Sequence, residues 1–502
     1  MYRSRPKGRL QNDASKLLSS VVEDSQIFYY DILGSQAHSL MLYDIGILTR
    51  SELKKILEPL EEIRKQSNII LSSDKYPSVN EFEDVHEFLE GYVIEHSGIE
   101  AGGKMHTARS RNDQVMLDVR MRARDQINEI CIAIVNLIDS LLSKALDHTD
   151  TTMPMYTHMQ HAQIGTFSHF LMSYVESLFR DIDRFYVTYG RVNQSPLGAC
   201  AIGGTSIKID RNRTAVLLGF NSIMRNSIDA TSSRDTLIEF IFSITVMMTT
   251  LSRIAEDFII WSTSEFSYIE ISDEFSSTSS AMPQKKNPDP LEIIRSKTSL
   301  LLGNSVAMVS TIKALPSGYS RDLQDLKLSI WQSCDVALQA LVVMNNIIKS
   351  ITVYRERMKQ RAVDSYAISV DIAEQLVTKK RMPFRLAHQF IGALVQSAVS
   401  KANLPLAMLD KKDVSNALGN VNFAVDVAEV MQIIRETTPE VAIRMRASLG
   451  SPNPIEEREA IRLSYRKLSG YREGIAKRKK SIETAFDNLL VTVQEHLDNK
   501  EG

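Results

Sequence analysis

The stretch QVMLDVRMRARDQINEICIAIVNLIDSLLSKALDH, residues 114–148, contains neither glycine nor proline. Its apolar residues recur at helical spacing in two adjacent stripes, which comprise Ile127, Ile130, Ile134, Leu137 and Leu141 in the first and Cys131, Ile138, Leu142 and Ala145 in the second. This pattern predicts one unbroken helix of roughly 50 Å, at about 1.5 Å per residue. Because a helix with two apolar stripes needs neighbours on two sides, the stretch indicates the centre of a helical bundle.

The rest of the chain indicates further long helices. Residues 220–282 and 319–382 also lack glycine and proline, and helical periodicity recurs in QIGTFSHFLMSYVESLFRDIDRF (163–185) and LEIIRSKTSLLLGNSVAMVSTI (291–312). Strand-like alternation is scarce. The sequence therefore predicts a mainly α fold with a central bundle of about five long helices.

The expected subunit has three domains. They are an N-terminal helical domain over residues 1–113, the central bundle over 114–362, and a small helical C-terminal domain over 363–502. A shorter amphipathic helix is predicted at 51–66, with an apolar face formed by Leu53, Ile56, Leu57 and Leu60. Helices as long and apolar as those of the bundle are expected to bury surface against copies of themselves, so a homo-oligomer is predicted.

Composition narrows the classes of partner. The chain has 502 residues, 43% of them apolar, and its 59 basic residues nearly balance its 61 acidic ones, so no charge excess favours nucleic acid or a membrane surface. Cys131, Cys200 and Cys334 lie too far apart for a disulfide framework or zinc motif. The start, MYRSRPKGRL, is basic and polar, and no run of roughly 18 mostly apolar residues is expected anywhere. A cytoplasmic enzyme or scaffold is the resulting expectation.

Four polar clusters interrupt the apolar pattern, and the first two precede or follow the long stretch. In KMHTARSRNDQV (104–115), Ser110, Arg111 and Asn112 offer donors near a helix N-terminus, where the helix dipole favours an anion. An ordinary helix start with solvated charges is the alternative. In YTHMQHAQ (156–163), Thr157 and His158 stand in a segment without formal charge, where a structural histidine is the alternative.

The other two clusters lie later in the chain. TSSAMPQKKNPDP (278–290) should be a loop, because each proline removes a backbone donor and restricts the residue before it. A solvated connector is the alternative reading of that loop. GYSRDLQDLK (318–327) puts Tyr319, Gln324 and Lys327 at a boundary between a turn and a helix, which could also be an ordinary helix start.

Together the clusters supply anion donors, an imidazole, hydroxyls and lysines, while a metal-binding motif and a glycine-rich nucleotide motif are both lacking in the sequence. This set suits proton abstraction next to a carboxylate. Such a reaction needs a base for a carbon-bound proton, a cation and dipoles for the charge that builds on the carboxylate, and an acid for the leaving group.

The chain resembles the argininosuccinate lyases, a family of the fumarase/aspartase superfamily. The superfamily signature GSSxMPxKxNP is matched by TSSAMPQKKNP except at Thr278. The family itself is indicated by HTARSRNDQV, YTHMQHAQ, SPLGACAIGG, SIDATSSRD and YSRDLQDLK, together with DILGSQAH and EDVHEFLE near the N-terminus. These matches occur in order from about residue 20 to residue 330.

The resemblance implies a mainly helical, three-domain subunit whose central helices form the core of a homotetramer. Each active site would be assembled from segments of three subunits. The implied reaction is the reversible elimination of fumarate from argininosuccinate to leave arginine, by abstraction of a Cβ proton through an aci-carboxylate intermediate. The resemblance implies no metal or organic cofactor, and neither nucleic acid nor a membrane as a partner.

The resemblance also assigns roles to residues. Ser279 resembles the base that removes the Cβ proton, Lys285 and Asn287 match the groups that hold the substrate carboxylate and the developing aci-carboxylate, and His158 matches the acid or proton relay with Glu292 as its partner. The matched substrate-binding positions are Ser110, Arg111, Asn112, Thr157, Tyr319, Gln324 and Lys327, with Ser20 or its neighbour Ser19 as a further one.

Four residues depart from the family pattern. Thr278 and Ala108 stand where glycine is usual, Cys200 replaces a glycine or small residue, and Ser233 stands where aspartate is common. A β-branched residue resists backbone angles that glycine permits, so Thr278 is expected to slow closure of the loop that contains Ser279.

Three alternatives to this activity are open at the level of sequence. Another lyase of the superfamily, of the aspartase or adenylosuccinate lyase type, would keep the signature loop but is expected to lack RSRNDQ and YSRDLQDLK. A structural protein could use the same scaffold without catalysis, although Ser279, Lys285 and His158 are retained. The third is an unrelated helical interaction scaffold. A single turnover assay separates these classes.

Overall fold

The computed structural model describes residues 11–73, 75–78 and 81–498, so the first ten residues of the expected N-terminal domain lie outside the described part. The described part begins with seven α-helices: α1 (Asn12–Leu18), α2 (Val21–Asp24), α3 (Phe28–Asp44), α4 (Arg50–Lys65), α5 (Ser67–Leu71), α6 (Val85–Ser97) and α7 (Ile99–Gly102). Helix α4 starts at a capping box, in which the Thr49 hydroxyl accepts from Glu52 N and the Glu52 carboxylate accepts from Thr49 N. Its predicted apolar face is fully buried, which confirms the amphipathic assignment.

The predicted central bundle is confirmed. Helices of this part are α8 (Arg111–Leu146), α9 (Phe167–Val192), α10 (Arg211–Leu217), α11 (Ser227–Ser232), α12 (Asp235–Ser262), α13 (Asp289–Ile312) and α14 (Leu326–Ser350). Among the described residues of the bundle, five helices, α8, α9, α12, α13 and α14, have 24 to 36 residues each. Both predicted stripes of α8 are buried, because α9, α14 and α3 pack around it.

Strands are short and occur in pairs, as the scarcity of alternating sequence predicted. They are β1 (Thr152–Thr157), β2 (Gln160–Thr166), β3 (Gln194–Ser195), β4 (Ser222–Ile223), β5 (Ile269–Glu270), β6 (Ser277–Thr278), β7 (Lys286–Asn287) and β8 (Thr352–Val353). Strands β1 and β2, β5 and β8, and β6 and β7 pair antiparallel, whereas β3 and β4 pair parallel. The four pairs are separate two-stranded sheets, so none of them forms a core sheet.

A second, smaller core follows the bundle. The C-terminal helices are α15 (Arg355–Asp364), α16 (Ser369–Lys380), α17 (Phe384–Ser400), α18 (Lys411–Val421), α19 (Val427–Glu436), α20 (Pro439–Met445) and α21 (Pro454–Asp498). Helices α16 to α19 bury their own apolar cluster around Leu376, Phe390 and Leu394. Helix α21 has 45 residues and returns along α8, so it shares the core of the bundle. The division of the chain into three domains stays a prediction.

Helix α12 corrects one expectation from the sequence. It is long and apolar enough to cross a membrane by length and composition, with a mean hydropathy of 1.5 over its most apolar window. The expectation that no run of this kind occurs is therefore wrong for this helix. Most of that window, 56%, is buried against other helices, and buried core helices pass the same test of composition.

Helix α13 leaves apolar side chains exposed on more than one side. Only a minority of its residues are buried, and its exposed apolar residues are Ile293, Leu300, Leu302, Val306 and Val309. Neighbouring α12 adds exposed Phe242 and Val246. Exposed apolar surface on packed helices is characteristic of protein interfaces.

The start of helix α21 is tied to the β1–β2 hairpin by a buried carboxyl group. The hydroxyl of Thr166, the N-cap of α9, donates to Glu457 Oε1 at 2.5 Å, and His169 Nδ1 lies 3.7 Å from the same oxygen. Glu457 is only 3% exposed. Burial raises the pKa of this carboxyl from 4.5 to about 7.

This pKa predicts a pH-dependent stability that Glu457→Gln should remove. Below the unfolded-state pKa both states hold the proton; as the pH rises towards 7, the unfolded state ionises first and the folded state loses relative stability. We expect the free energy of unfolding of the variant, relative to the wild type, to rise by about 3 kcal/mol between pH 4 and pH 7. Chemical unfolding at a fixed protein concentration measures this difference. The exposed neighbour provides the control, Glu456→Gln, and parallel profiles for the wild type and Glu457→Gln would contradict the assignment.

Candidate active site

Helix α8 begins at a capping box that orients the predicted anion donors. The hydroxyl of Ser110 accepts a hydrogen bond from Asn112 N at 3.3 Å, and the Asp113 carboxylate accepts one from Ser110 N at 3.0 Å. Arg111 and Asn112 therefore stand in the first helical turn, where N–H groups and the helix dipole favour an anion. The helix starts where the sequence indicated.

Asp113 also connects this turn to the loop 195–204. Its second carboxylate oxygen accepts from Gly198 N at 2.9 Å and from Cys200 N at 2.8 Å. The side chain of Asn112 adds a bond from Nδ2 to the carbonyl of Ala201 at 2.9 Å. Burial raises the pKa of the Asp113 carboxyl to about 6, against the lowering effect of these backbone donors. Two sequence motifs that lie some distance apart in the chain thus form one rigid junction.

Two of the departures from the family pattern meet at this junction. Ala108 and Cys200 both adopt left-handed backbone angles, with φ of 57° and 53°. The Cys200 thiol donates to the Ala108 carbonyl at 3.1 Å. An L-residue in this region costs about 1–2 kcal/mol, which explains why glycine suits both positions. Thr278 differs, because it lies in strand β6, where a β-branched residue is favoured.

A cavity of about 120 Å³ opens beside the start of α8. Its lining contains most of the predicted substrate-binding residues, namely Ser20, Arg111, Asn112, Tyr319, Gln324 and Lys327. They arrive from the start of α2, the first turn of α8, and the 3-10 turn and first turn of α14. Segments that lie far apart in the chain therefore converge on one cavity.

Ion pairs surround the cavity. The Lys327 ammonium donates to the Asp24 carboxylate, which also accepts from the Ser20 hydroxyl at 2.8 Å. Arg111 Nη1 lies 2.9 Å from Asp84 Oδ2. Lys327 and Asp24 are both buried, so their charges are held in place with little solvent screening. The cavity wall is therefore preorganised for a polar, charged ligand.

The motif DILGSQAH acts as a scaffold for this wall. Three of its side chains form hydrogen bonds to the start of α8 and to the segment before it. Asp31 Oδ1 accepts from Gln114 Nε2 at 2.5 Å, and Ser35 Oγ accepts from Arg109 Nη1 at 2.9 Å. His38 Nε2 lies 2.8 Å from the carbonyl oxygen of Thr107. These buried contacts fix the loop from which the anion donors project. The motif thus positions the cavity without lining it.

The cavity is also lined by four charged residues that the sequence analysis did not select: Asp84, His86, Arg234 and Arg321. Asp84 and His86 belong to EDVHEFLE and Arg234 to SIDATSSRD, which served only to identify the family. Arg234 is 5% exposed, and a buried charge of this kind is itself a signal of function. The sequence shows the charge but not its burial.

A buried group of potential metal ligands lies beside the cavity. Ligand atoms of Asp31, His86 and Asp118 all fall within 4.8 Å of one another. His86 Nδ1 is 3.1 Å from Asp31 Oδ2, and the Asp31 charge raises the pKa of the imidazole despite its burial. Sequence spacing could not reveal this group, because its members come from three helices. The geometry is that of a buried ion pair with Asp31.

His158 stands at the tip of a hairpin. Together with Met159 it forms the two-residue turn between β1 and β2, with φ of 57° and 58°. Positive φ at both positions is the pattern of a type I′ turn, which normally favours Asn and Gly. Thr157 pairs with Gln160 at the base of the turn, and Thr157 and His158 are exposed in the single chain. The hairpin therefore presents the imidazole away from its own subunit.

The signature loop is closed by the β6–β7 ladder and carries Ser279 near its start. The Ser279 hydroxyl oxygen accepts from Ala281 N at 3.2 Å and Met282 N at 3.1 Å. Lys286 is tied to Asp273 Oδ1 at 2.7 Å, whereas Lys285, within the described part of the chain, forms no ion pair and is exposed. The two adjacent lysines thus differ: the ammonium group of Lys286 is held in ion pairs, whereas that of Lys285 is accessible to a ligand.

The predicted site residues fall into two groups. One group lines or caps the cavity, whereas Ser279, Lys285, Asn287, Glu292, Thr157 and His158 do not line it. Asn287 lies in β7 and Glu292 in the first turn of α13. No hydrogen bond or ion pair joins His158 to Glu292 within the described residues of one chain. The predicted partnership of these two side chains is not formed inside the single subunit.

Comparison with known proteins identifies relatives over the whole chain. A family model described as "Lyase" matches residues 8–303, and one described as "Argininosuccinate lyase C-terminal" matches residues 366–435. An argininosuccinate lyase of Nitrosopumilus maritimus is 45% identical over 496 residues, which cover 99% of this chain and 100% of that protein.

Solved structures agree with this relationship. EDDS lyase in complex with formate superposes with a TM-score of 0.84 at 28% identity, covering 98% of this chain and 97% of that one. A variant of EDDS lyase with bound fumarate gives a TM-score of 0.83, also at 28% identity and with the same coverage. The whole architecture, including the C-terminal helices, is therefore shared with these structures.

The left-handed backbone angle of Ala108 predicts that glycine at this position stabilises the fold. We expect Ala108→Gly to raise the free energy of unfolding by up to about 1 kcal/mol, because relief of about 1–2 kcal/mol of strain exceeds the entropic cost of glycine, about 0.5–1 kcal/mol. Ala133→Gly, in the middle of helix α8, is the matched control and should destabilise by about 1 kcal/mol or more. Denaturant unfolding compares the two variants. A loss of stability in Ala108→Gly would refute the strain assignment.

Proposed function

The chain belongs to the argininosuccinate lyase family of the fumarase/aspartase superfamily, and on that premise we propose that it catalyses the reversible elimination of fumarate from argininosuccinate to leave arginine. It is then a carbon–nitrogen lyase. The observation that carries the proposal is the convergence of Arg111, Asn112, Tyr319 and Lys327 on one preorganised cavity. These residues come from two of the family motifs that lie far apart in the chain.

The proposed chemistry begins at Ser279. After its own proton has been lost to solvent, the anionic Ser279 oxygen takes the Cβ proton of the substrate and becomes a neutral hydroxyl. The electrons of the broken C–H bond move onto the adjacent carboxylate. Two backbone N–H groups already donate to this oxygen, which favours its anionic form and so supports its use as a base. The Lys285 charge and the Asn287 amide hold the aci-carboxylate that forms.

The second step breaks the carbon–nitrogen bond. The aci-carboxylate collapses to the double bond of fumarate, and the leaving guanidino nitrogen receives a proton from His158, with Glu292 as the partner of that imidazole. Ser20, Ser110, Thr157 and the cavity residues hold the rest of the substrate. A hydroxyl activated by fixed dipoles and a separate imidazole acid meet the requirements of such an elimination.

We further propose that the protein is a homotetramer with sites shared between subunits. Two observations support this: α13 exposes apolar side chains along its length, and the residues proposed for proton transfer do not line the cavity of their own chain. Segments of three subunits would then complete each site. A soluble, cytoplasmic enzyme with three domains per subunit, acting on a small molecule rather than on nucleic acid or a membrane, fits this assembly.

The activity is tested by mixing the purified protein with argininosuccinate and following the ultraviolet absorbance of fumarate. Fumarate and arginine should form in equal amounts. Turnover of aspartate or adenylosuccinate instead would favour another lyase of the superfamily, and no turnover of any of them would favour a structural protein on this scaffold.

Adjacent serines provide a matched test of the proposed base. We expect Ser279→Ala to lower kcat by about 10²–10⁴-fold, the usual cost of losing a positioned general base, while the fold and oligomeric mass stay unchanged. Ser280→Ala removes the neighbouring hydroxyl and should have a much smaller effect. Initial rates of fumarate release measure both variants. Retention of more than about a tenth of the activity by Ser279→Ala, or a larger loss in Ser280→Ala, would rule out Ser279 as the base.

A further inference from the structure

Arg234 is a buried arginine at the junction between helices α11 and α12. Its side chain is 5% exposed and lines the cavity. Nη1 donates to the carbonyls of Thr231 at 3.0 Å and Ser233 at 3.2 Å. Both hydrogens of Nη1 are thereby used at the end of α11, and the guanidinium is fixed in orientation.

The other edge of this guanidinium is available. Within the described residues, neither Nε nor Nη2 of Arg234 donates a hydrogen bond, and no carboxylate lies within ion-pair distance. The other cations of the wall are paired: Arg111 with Asp84, and Lys327 with Asp24. Among the residues that the structure describes, Arg234 differs from them in having no anionic partner.

A buried cation without a counter-ion is costly, because desolvation of a charge is repaid only by a well-placed opposite charge. Burial, reinforced by the nearby Arg120 charge, lowers the pKa of Arg234 to about 10, so the guanidinium stays charged at neutral pH. Tyr319, a predicted substrate-binding residue, also lines the cavity and lies near enough to interact electrostatically with Arg234. A charge kept in such a place indicates an anion that arrives from outside the protein.

We propose that Arg234 binds a carboxylate of the substrate through its Nε and Nη2 edge. This edge presents two parallel N–H donors, which match the two oxygens of a carboxylate. The inference rests on the proposed function for the identity of the substrate, but the carboxylate itself follows from the unpaired guanidinium. Arg234 is then a binding residue that completes the charge balance of the cavity when substrate enters.

Arg120 provides a matched control for this proposal. It is 1% exposed, and its Nη1 donates to the carbonyls of Arg191 at 3.0 Å and Val192 at 3.2 Å. No carboxylate lies within ion-pair distance of Arg120 among the described residues, yet it does not line the cavity. The variants Arg234→Lys and Arg120→Lys therefore remove similar buried contacts, and only the first removes the proposed carboxylate contact.

The experiment is calorimetric titration of the wild type and both variants with fumarate, succinate and L-arginine. In Arg234→Lys, we expect the Kd of at least one of these ligands to rise tenfold or more, because lysine keeps the charge but loses the fork. Arg120→Lys keeps the positive charge that acts on Arg234, and Arg120 does not line the cavity, so each Kd should stay within about twofold of the wild type. Loss of fumarate and succinate binding would assign the contact to the fumarate half, and loss of arginine binding to the amino-acid half.

Unchanged affinity of Arg234→Lys for all three ligands, or an equal loss in Arg120→Lys, would overturn the inference. If Arg234→Lys does not fold, Arg234→Gln, whose amide can still donate to one of the two carbonyls, takes its place under the same criteria. Wild-type turnover of argininosuccinate separates this outcome from the proposed function. If the wild type turns over argininosuccinate but Arg234→Lys binds all three ligands as tightly as the wild type does, only the inference about Arg234 is wrong. If Arg234→Lys binds a carboxylate ligand more weakly but the wild type does not turn over argininosuccinate, only the proposed function is wrong.

Discussion

The carboxylate of Asp113 is the contact on which the binding cavity depends. One oxygen accepts from Ser110 N at the start of α8, and the other from Gly198 and Cys200 in a loop that follows α9. A single buried side chain therefore fixes where the long helix begins and where the loop lies. Arg111, in the first turn, is directed to the cavity only because that start is fixed.

The binding residues and the proposed proton-transfer residues therefore lie on different kinds of structural element. Residues that line the cavity sit on the ends of packed helices, where their positions are set by the core. His158 and the loop of Ser279 instead project from short strand pairs on the surface of the subunit. Exposed elements held at their bases can meet a neighbouring subunit without disturbing their own core. In the proposed homotetramer, the exposed apolar side chains of α13 would pack against such a neighbour.

Periodicity was sufficient to predict the five long helices of the bundle, because apolar residues recur at helical spacing along each of them. It did not reveal that the 45-residue C-terminal helix α21 returns along α8 and shares the core of the bundle. Motifs were sufficient to select six of the residues that line the cavity. Arg234 could not be found in this way, since burial and the absence of a counter-ion are properties of the folded chain. The left-handed angles of Ala108 and Cys200 likewise arise from tertiary contacts, although glycine in the family pattern hinted at them.

The central claim is that cavity and proton-transfer loop of one active site come from different subunits. It is tested most directly by forming hybrid oligomers from two inactive parents, Arg111→Ala in the cavity and Ser279→Ala in the loop, and measuring fumarate release from argininosuccinate. Hybrids should regain activity well above either parent, because some sites then combine two intact halves. Confirmed hybrids that remain as inactive as their parents would contradict the account.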